Sequence, residues 1–345
     1  MQLNKKSKII SFLLIIVLCV ATVGNYSYAD NNFSPHIVTI CGFPIGIKLE
    51  GDGVTVTGYM TNDARQSGLN VGDRIISING LKINSSLQLQ NELNNKTSDF
   101  VELEVIDGET SDNKVLSLRP IYDAVQGSYR LGVWVKDSAA GIGTMTFYDK
   151  STHVFGSLGH GITDCGDVFP ISGGSIQEVT IFDIEKGHPG EPGELKGYFN
   201  DVNNAVGIVC KNTPYGVYGY ISDDRIISEG CFDVEVAKQG EVHTGNAYIF
   251  ANIDGEKFAK YEIKISAVNK NQENATKTLS ILVTDNELIC KTGGIVQGMS
   301  GSPIIQDGKL VGAVTHVMIN DPTVGYGILI ENMLNAAQMP MAKAS

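Results

Sequence analysis

Basic residues are scarce in this 345-residue sequence, and no run of it has the spacing of a metal site. Setting aside residues 1–30, which hold three lysines and one aspartate, 23 basic side chains face 37 acidic ones. Such an excess repels phosphate backbones and anionic membrane surfaces, so nucleic acid is excluded and proteins are the expected partners. The six cysteines contain no C-x-x-C pair. The five beyond Cys19 (Cys41, Cys165, Cys210, Cys231 and Cys290) are too scattered for a zinc site. Being odd in number they cannot all pair within one chain, and buried free thiols are expected for most. Asp63, Asp73, Asp223 and Asp224 do not form the oxygen-ligand series of a calcium loop, so neither metal nor cofactor is expected. Long apolar runs are also missing, apart from Ile9–Val23, and those fifteen residues fall short of the roughly 20 that a spanning helix wants. The run follows Lys5, Lys6 and Lys8 and precedes the small-x-small Ser27-Tyr28-Ala29. Residues 1–30 therefore read as an export signal peptide or membrane anchor, followed by a polar linker at 31–37.

Glycine and short strand-like runs are abundant. With 39 glycines and 42% hydrophobic residues, the chain reads as mostly β, with room for about two domains. The first spans 38–120. Its phrase ARQSGLNVGDRIISINGLKINS, Ala64 to Ser85, contains a helix start, a Gly72-Asp73 turn, an alternating strand and an Asn79-Gly80 hairpin turn. An amphipathic segment carrying Leu87, Leu89 and Leu93 and a strand VELEVID follow. The ordered phrase resembles the PDZ domain. The resemblance implies a small α+β domain in which a ligand peptide adds as an extra strand beside one helix, its terminal carboxylate held by backbone N–H groups of a loop. Phe43-Pro44-Ile45-Gly46-Ile47 is the matching loop.

From 128 to 340 the chain turns to glycine-punctuated strands of the sandwich or barrel type, closed by a helix near Glu331–Gln338. Gly298-Met299-Ser300-Gly301-Ser302-Pro303 sets a serine among glycines that permit a sharp turn, so that the N–H groups of Gly298 and Ser300 can meet one oxygen. A serine nucleophile also needs a base. Of six histidines, His160 lies directly after an apolar strand and between two glycines in FGSLGHGITD, 140 residues before Ser300. His316 is the fallback base, while His36, His153, His188 and His243 have plainer surface or strand readings. A carboxylate should orient the imidazole. Asp201, Asp223, Asp224 and Asp233 lie between the two motifs and are candidates.

The Ser300 phrase, with the hairpin at Asp307-Gly308 and the strand after it, resembles the nucleophile loop of chymotrypsin-like serine peptidases. That likeness implies a double β-barrel in which Thr315, His316 and Val317 form a wall that pairs with the substrate backbone. Together with VWVKDSAAGIGTMTFYD and the PDZ-like phrase upstream, the motifs resemble the stage IV sporulation protein B (SpoIVB-type) peptidase family over about residues 38–340. The resemblance favours Asp285, fifteen residues before Ser300, as the orienting carboxylate. It also implies an exported serine endopeptidase working between the forespore and mother-cell membranes and membrane-associated before processing. Such an enzyme processes itself and cleaves a membrane-bound regulator, so that an intramembrane protease activates a late mother-cell sigma factor. Two other readings are an envelope quality-control protease, against which the order of the domains counts, and a non-catalytic peptide-binding module.

Overall fold

A computed structural model describes residues 36–338 apart from 165, 201–203, 228–229, 254–258 and 270–275. The expected signal or anchor at 1–30 lies outside the described residues, as do Asp201 and Cys165. The described residues are mostly β, with a small α+β domain and a larger one whose ladders close into two barrels, the arrangement expected from the sequence.

Four hydrophobic clusters show why the chain folds in parts. One gathers Ile45, Ile47, Leu49, Met145, Phe155, Ile176, Val209 and Val217 from alternating positions of antiparallel strands, and this is the core of the first barrel. A second, from Ala247, Ile249, Ile263, Ile265, Ile281, Ile304 and Val314, is the core of the second. Between them the strand Ile37–Ile40 and the closing helix Ile330–Ala337 bury Ile40, Phe147, Leu310, Ile328 and Met333 in a third. The fourth belongs to the small domain, where Val54, Val56, Leu69, Ile75, Ile78, Leu89, Leu93, Leu103 and Val105 pack one face of a sheet against the helix Ser86–Asn94.

Two long strands run through both domains. Pro44–Tyr59 pairs antiparallel with Val133–Asp149 from Pro44↔Thr144 to Tyr59↔Val133, with a register break between Glu50 and Thr55. Its first half lies in the peptidase, where Ile45–Gly51 also pairs with the strand Ile171–Glu185 on the other edge. Its second half lies in the small domain, against Arg74–Ile78. The loop expected at Phe43–Ile47 is therefore corrected. Pro44 to Ile47 form a strand in the first barrel, with Ile45 and Ile47 flanked by ladder partners on both sides, and their amides cannot hold a peptide carboxylate. The expectation for the thiols also changes, because Cys41 is buried whereas Cys210 and Cys290 are exposed.

Candidate active site

The nucleophile loop is shaped by its glycines and pinned by two threonines. The short helix Asn286–Thr292 ends at Gly293, which adopts the left-handed conformation (φ 81°), and the chain then runs through buried Ile295 and Val296 to Gly298 and Ser300. Gly301 has φ 97°, and a Cβ there would lie 2.0 Å from the Thr144 carbonyl oxygen, so only glycine fits the turn after the serine. Thr144, on the Val133–Asp149 strand, donates its N–H to the Ser300 carbonyl at 2.8 Å and its hydroxyl to the Gly298 carbonyl at 2.8 Å. The Thr146 hydroxyl donates to the Gly301 carbonyl at 2.7 Å. With these carbonyls held, the N–H groups of Gly298 and Ser300 are left without an acceptor among the described residues. Unused donors at a cavity wall are what a developing oxyanion requires.

That cavity, of about 440 Å³, is lined by Ser300, Gly298, His160, Thr315, His316 and Val317, together with apolar side chains such as Ile142, Leu158, Ile162 and Ile295. The structure thus brings the predicted nucleophile, base, oxyanion donors and wall to one place. His160 arrives there because Leu158 (φ 66°) and Gly159 (φ 70°) turn the chain sharply at the end of the strand Val154–Ser157. Its Nδ1 lies 2.9 Å from the Gly161 carbonyl, which can only accept, so Nδ1 carries the proton and Nε2 is left as the base. Burial pushes the pKa of His160 down, against the pull of the Gly161 carbonyl. The imidazole is neutral at neutral pH.

The Ser300 hydroxyl donates to the Thr315 carbonyl at 2.9 Å and makes no hydrogen bond to His160. Catalytic hydrogen bonds are often long or misaligned before substrate binds. Beyond Val314 the wall strand pairs among the described residues on one side, through His316↔Tyr326 and Val317↔Gly325, which leaves the other side for a substrate strand. The His316 ring lies 5.1 Å from that of His160, and its Nδ1 is buried without a hydrogen-bond partner among the described residues. Burial, then the charges of His160 and Lys277, push its pKa down to about 4.

Asp285 is not at the site. It caps the helix Asn286–Thr292, one carboxylate oxygen accepting from Leu288 N–H at 3.0 Å and the other from Glu262 N–H at 3.2 Å. Asp223 binds Arg225, Asp224 accepts from Tyr148, and Asp233 accepts from Lys150 and Thr39. Among the described residues, the polar partner of the His160 ring is the Gly161 carbonyl. The expectation of Asp285 as orienting carboxylate is corrected accordingly, since among the described residues its carboxylate caps that helix, makes no hydrogen bond to His160 and does not line the cavity.

Residues 127–334 match the model of the SpoIVB peptidase S55 family, and residues 38–106 match that of the PDZ domain. The chain belongs to the SpoIVB peptidase S55 family. It is a serine peptidase. Among solved structures, this S55 peptidase is similar to the PDZ domain of an SdrC-like protein from Listeria monocytogenes (23% identity, 24% of this chain and 87% of that one, TM-score 0.22). It is also similar to the active form of the Rv3671c protease from M. tuberculosis (15% identity, 59% and 78% covered, TM-score 0.33) and to Deg5 (14%, 56% and 80%, TM-score 0.30). No curated protein sequence matches it. Within the S55 chain, sequence reasoning missed Thr144 and Thr146. Two threonines alternating in the otherwise apolar strand GIGTMTFYD were the available signal, because a period of two puts both on one face.

Proposed function

We propose that this S55 peptidase is an exported endopeptidase of endospore formation that processes itself and cleaves a membrane-bound regulator of an intramembrane protease, thereby triggering activation of a late mother-cell sigma factor. The family match over 127–334 supports the biological setting. One observation carries the chemistry: Ser300 and two acceptorless amides share a cavity with a histidine whose Nδ1 is engaged by a carbonyl.

Ser300 turns its hydroxyl from the Thr315 carbonyl toward His160, and Oγ attacks the scissile carbonyl carbon while Nε2 takes the proton. The Gly298 and Ser300 N–H groups hold the oxyanion, each such donor being worth about 3 kcal/mol of barrier. As the C–N bond breaks, the imidazolium returns its proton to the leaving amine. Water, deprotonated by the same nitrogen, then attacks the acyl carbon, and the imidazolium returns that proton to Ser300 Oγ as the acyl C–O bond breaks. The Gly161 carbonyl fixes the tautomer and orients the ring, the part a carboxylate plays in the usual triad. Asp285 acts at a distance, by capping the helix that leads into the Ser300 loop.

Mass spectrometry of the mature protein beside its Ser300→Ala form tests this reading. Self-cleavage products are expected in the parent only, and the same products in both forms would refute it.

A further inference from the structure

Two cysteines with the whole small domain between them in the chain come together in the fold. The strand Ile37–Ile40 pairs antiparallel with Phe232–Val236 in the register Ile37↔Glu235, Val38↔Val234, Thr39↔Asp233 and Ile40↔Phe232. One step further, that register sets Cys41 opposite Cys231. Side chains two apart on a strand share a face, and the preceding pair on that face is in contact: the Thr39 hydroxyl donates to Asp233 Oδ1 at 2.7 Å. Cys41 is buried in the core of the first barrel, and the half-buried Cys231 packs against the same cluster. The two thiols lie within hydrogen-bond reach of each other, and Cys41 Sγ also donates to the Thr39 carbonyl at 3.7 Å. Directly opposed residues of an antiparallel pair have Cα atoms about 4.5–5.5 Å apart, inside the roughly 4.4–6.8 Å that a disulfide bridges. Cys210, on the strand Gly207–Thr213, and Cys290, on the helix Asn286–Thr292, are exposed and belong to neither strand of this ladder.

We propose that Cys41 and Cys231 form a reversible disulfide that clasps the strand Ile37–Ile40 to Phe232–Val236. The bond is made by exchange with a disulfide of low molecular weight or of a dithiol carrier protein. Burial, and then the neighbouring Cys231 thiol, push the pKa of Cys41 up, so the half-buried Cys231 reacts first. Its thiolate attacks one sulfur of the donor disulfide and releases the other as a thiol. Cys41 then gives up its proton and attacks the Cys231 sulfur, forming the S–S bond and releasing the second thiol. The peptidase loses two electrons and two protons, and the donor gains both. The clasp lies between elements that serve the site. Ile37–Ile40 also pairs with Val133–Asp149 through Thr39↔Tyr148 and Ile40↔Phe147, beside the threonines that prop the nucleophile loop. Phe232–Val236 runs parallel to the start of Lys309–Met318, the strand that continues into the substrate wall. Closing a loop that contains the small domain also removes chain freedom from the unfolded state, which stabilises the folded one.

The test does not depend on peptidase activity, because it uses the full chain carrying Ser300→Ala. Reduced, folded protein is incubated with oxidised glutathione, denatured in iodoacetamide and digested with chymotrypsin without reduction. Mass spectrometry should find the Cys41 and Cys231 peptides joined and lighter by two hydrogens, with Cys210 and Cys290 alkylated or carrying glutathione. The midpoint of thermal unfolding should rise by about 5 °C or more on oxidation and fall back with dithiothreitol. Cys231→Ser, a change at the half-buried partner, should abolish both the joined peptide and the thermal shift. Cys41→Ala should do the same from the buried side, whereas Cys210→Ser and Cys290→Ser should keep both. Recovery of Cys41 and Cys231 as alkylated thiols after the oxidising incubation, or a thermal shift that persists in folded Cys231→Ser, would overturn the proposal.

Discussion

Whether Asp285 is a cap or a catalytic carboxylate is decided by one substitution. Asparagine caps a helix about as well as aspartate, so Asp285→Asn should keep most of the kcat/KM, whereas Asp285→Ala should lose about 1 kcal/mol of stability in urea unfolding. An orienting carboxylate would behave otherwise, its conversion to the amide lowering kcat about ten-thousand-fold. Protonation separates the two histidines of the site. Because burial lowers the pKa of His160, kcat/KM should rise with pH along an acid limb centred below 6.5, and a limb centred above 6.5 would contradict the assignment of the neutral, enclosed base. For His316 the consequence falls on stability. Unfolded, its imidazole takes a proton near 6.5, whereas folded it resists until about 4. The unfolded state thus binds more protons across that window, and the stability contributed by neutral His316 is complete above pH 6.5 and lost as the pH falls toward 4. His316→Phe, which keeps the ring volume, should lose less stability than the parent between pH 7 and pH 5, as measured by urea unfolding. Equal losses would show that His316 is not titrating there.

At the scale of elements, the Val133–Asp149 strand does two jobs. Its first residues pair with Thr55–Tyr59 in the sheet of the small domain, and its Thr144 and Thr146 prop the nucleophile loop. Thr144→Val keeps the shape and the N–H bond to the Ser300 carbonyl but leaves the Gly298 carbonyl without its hydroxyl donor, a loss of about 1–3 kcal/mol. Because that carbonyl helps fix the oxyanion donors, kcat should fall about tenfold or more with KM little changed, whereas a fall in neither would relieve Thr144 of this role. The same strand shows what a sequence discloses. Ser300, Gly301 and the His160 turn were legible because their geometry is written in adjacent residues: glycines that must adopt positive φ or fit against backbone. The cap at Asp285 was equally local, an Asp directly before Asn-Glu-Leu at a helix start, but it went unread beside the family likeness. Thr144 could not be read in the same way, since its partner at Gly298 is 154 residues away. Nor could the fate of Phe43–Ile47, which depended on strands near 140 and 175 arriving on either side.

Across the whole molecule, three of the four clusters belong to the peptidase, and the first barrel is closed by residues N-terminal to the small domain. Val38, Ile40, Ile45, Ile47 and Leu49 are buried among strands that follow more than eighty residues later. The peptidase therefore depends on both sides of the inserted domain. Expression of residues 127–345 alone should yield a protein lacking a cooperative thermal transition, because the first barrel then misses Pro44–Gly51 and the cluster between the barrels misses Ile37–Ile40, and a sharp transition in that fragment would contradict this account of its core. The central claim is that Ser300, activated by His160, is the nucleophile. Intact-mass measurement after treatment with a serine-directed peptidyl phosphonate tests it most directly. The parent should gain the mass of one adduct, and Ser300→Ala and His160→Ala should gain none; an adduct that persists in folded Ser300→Ala would contradict the claim.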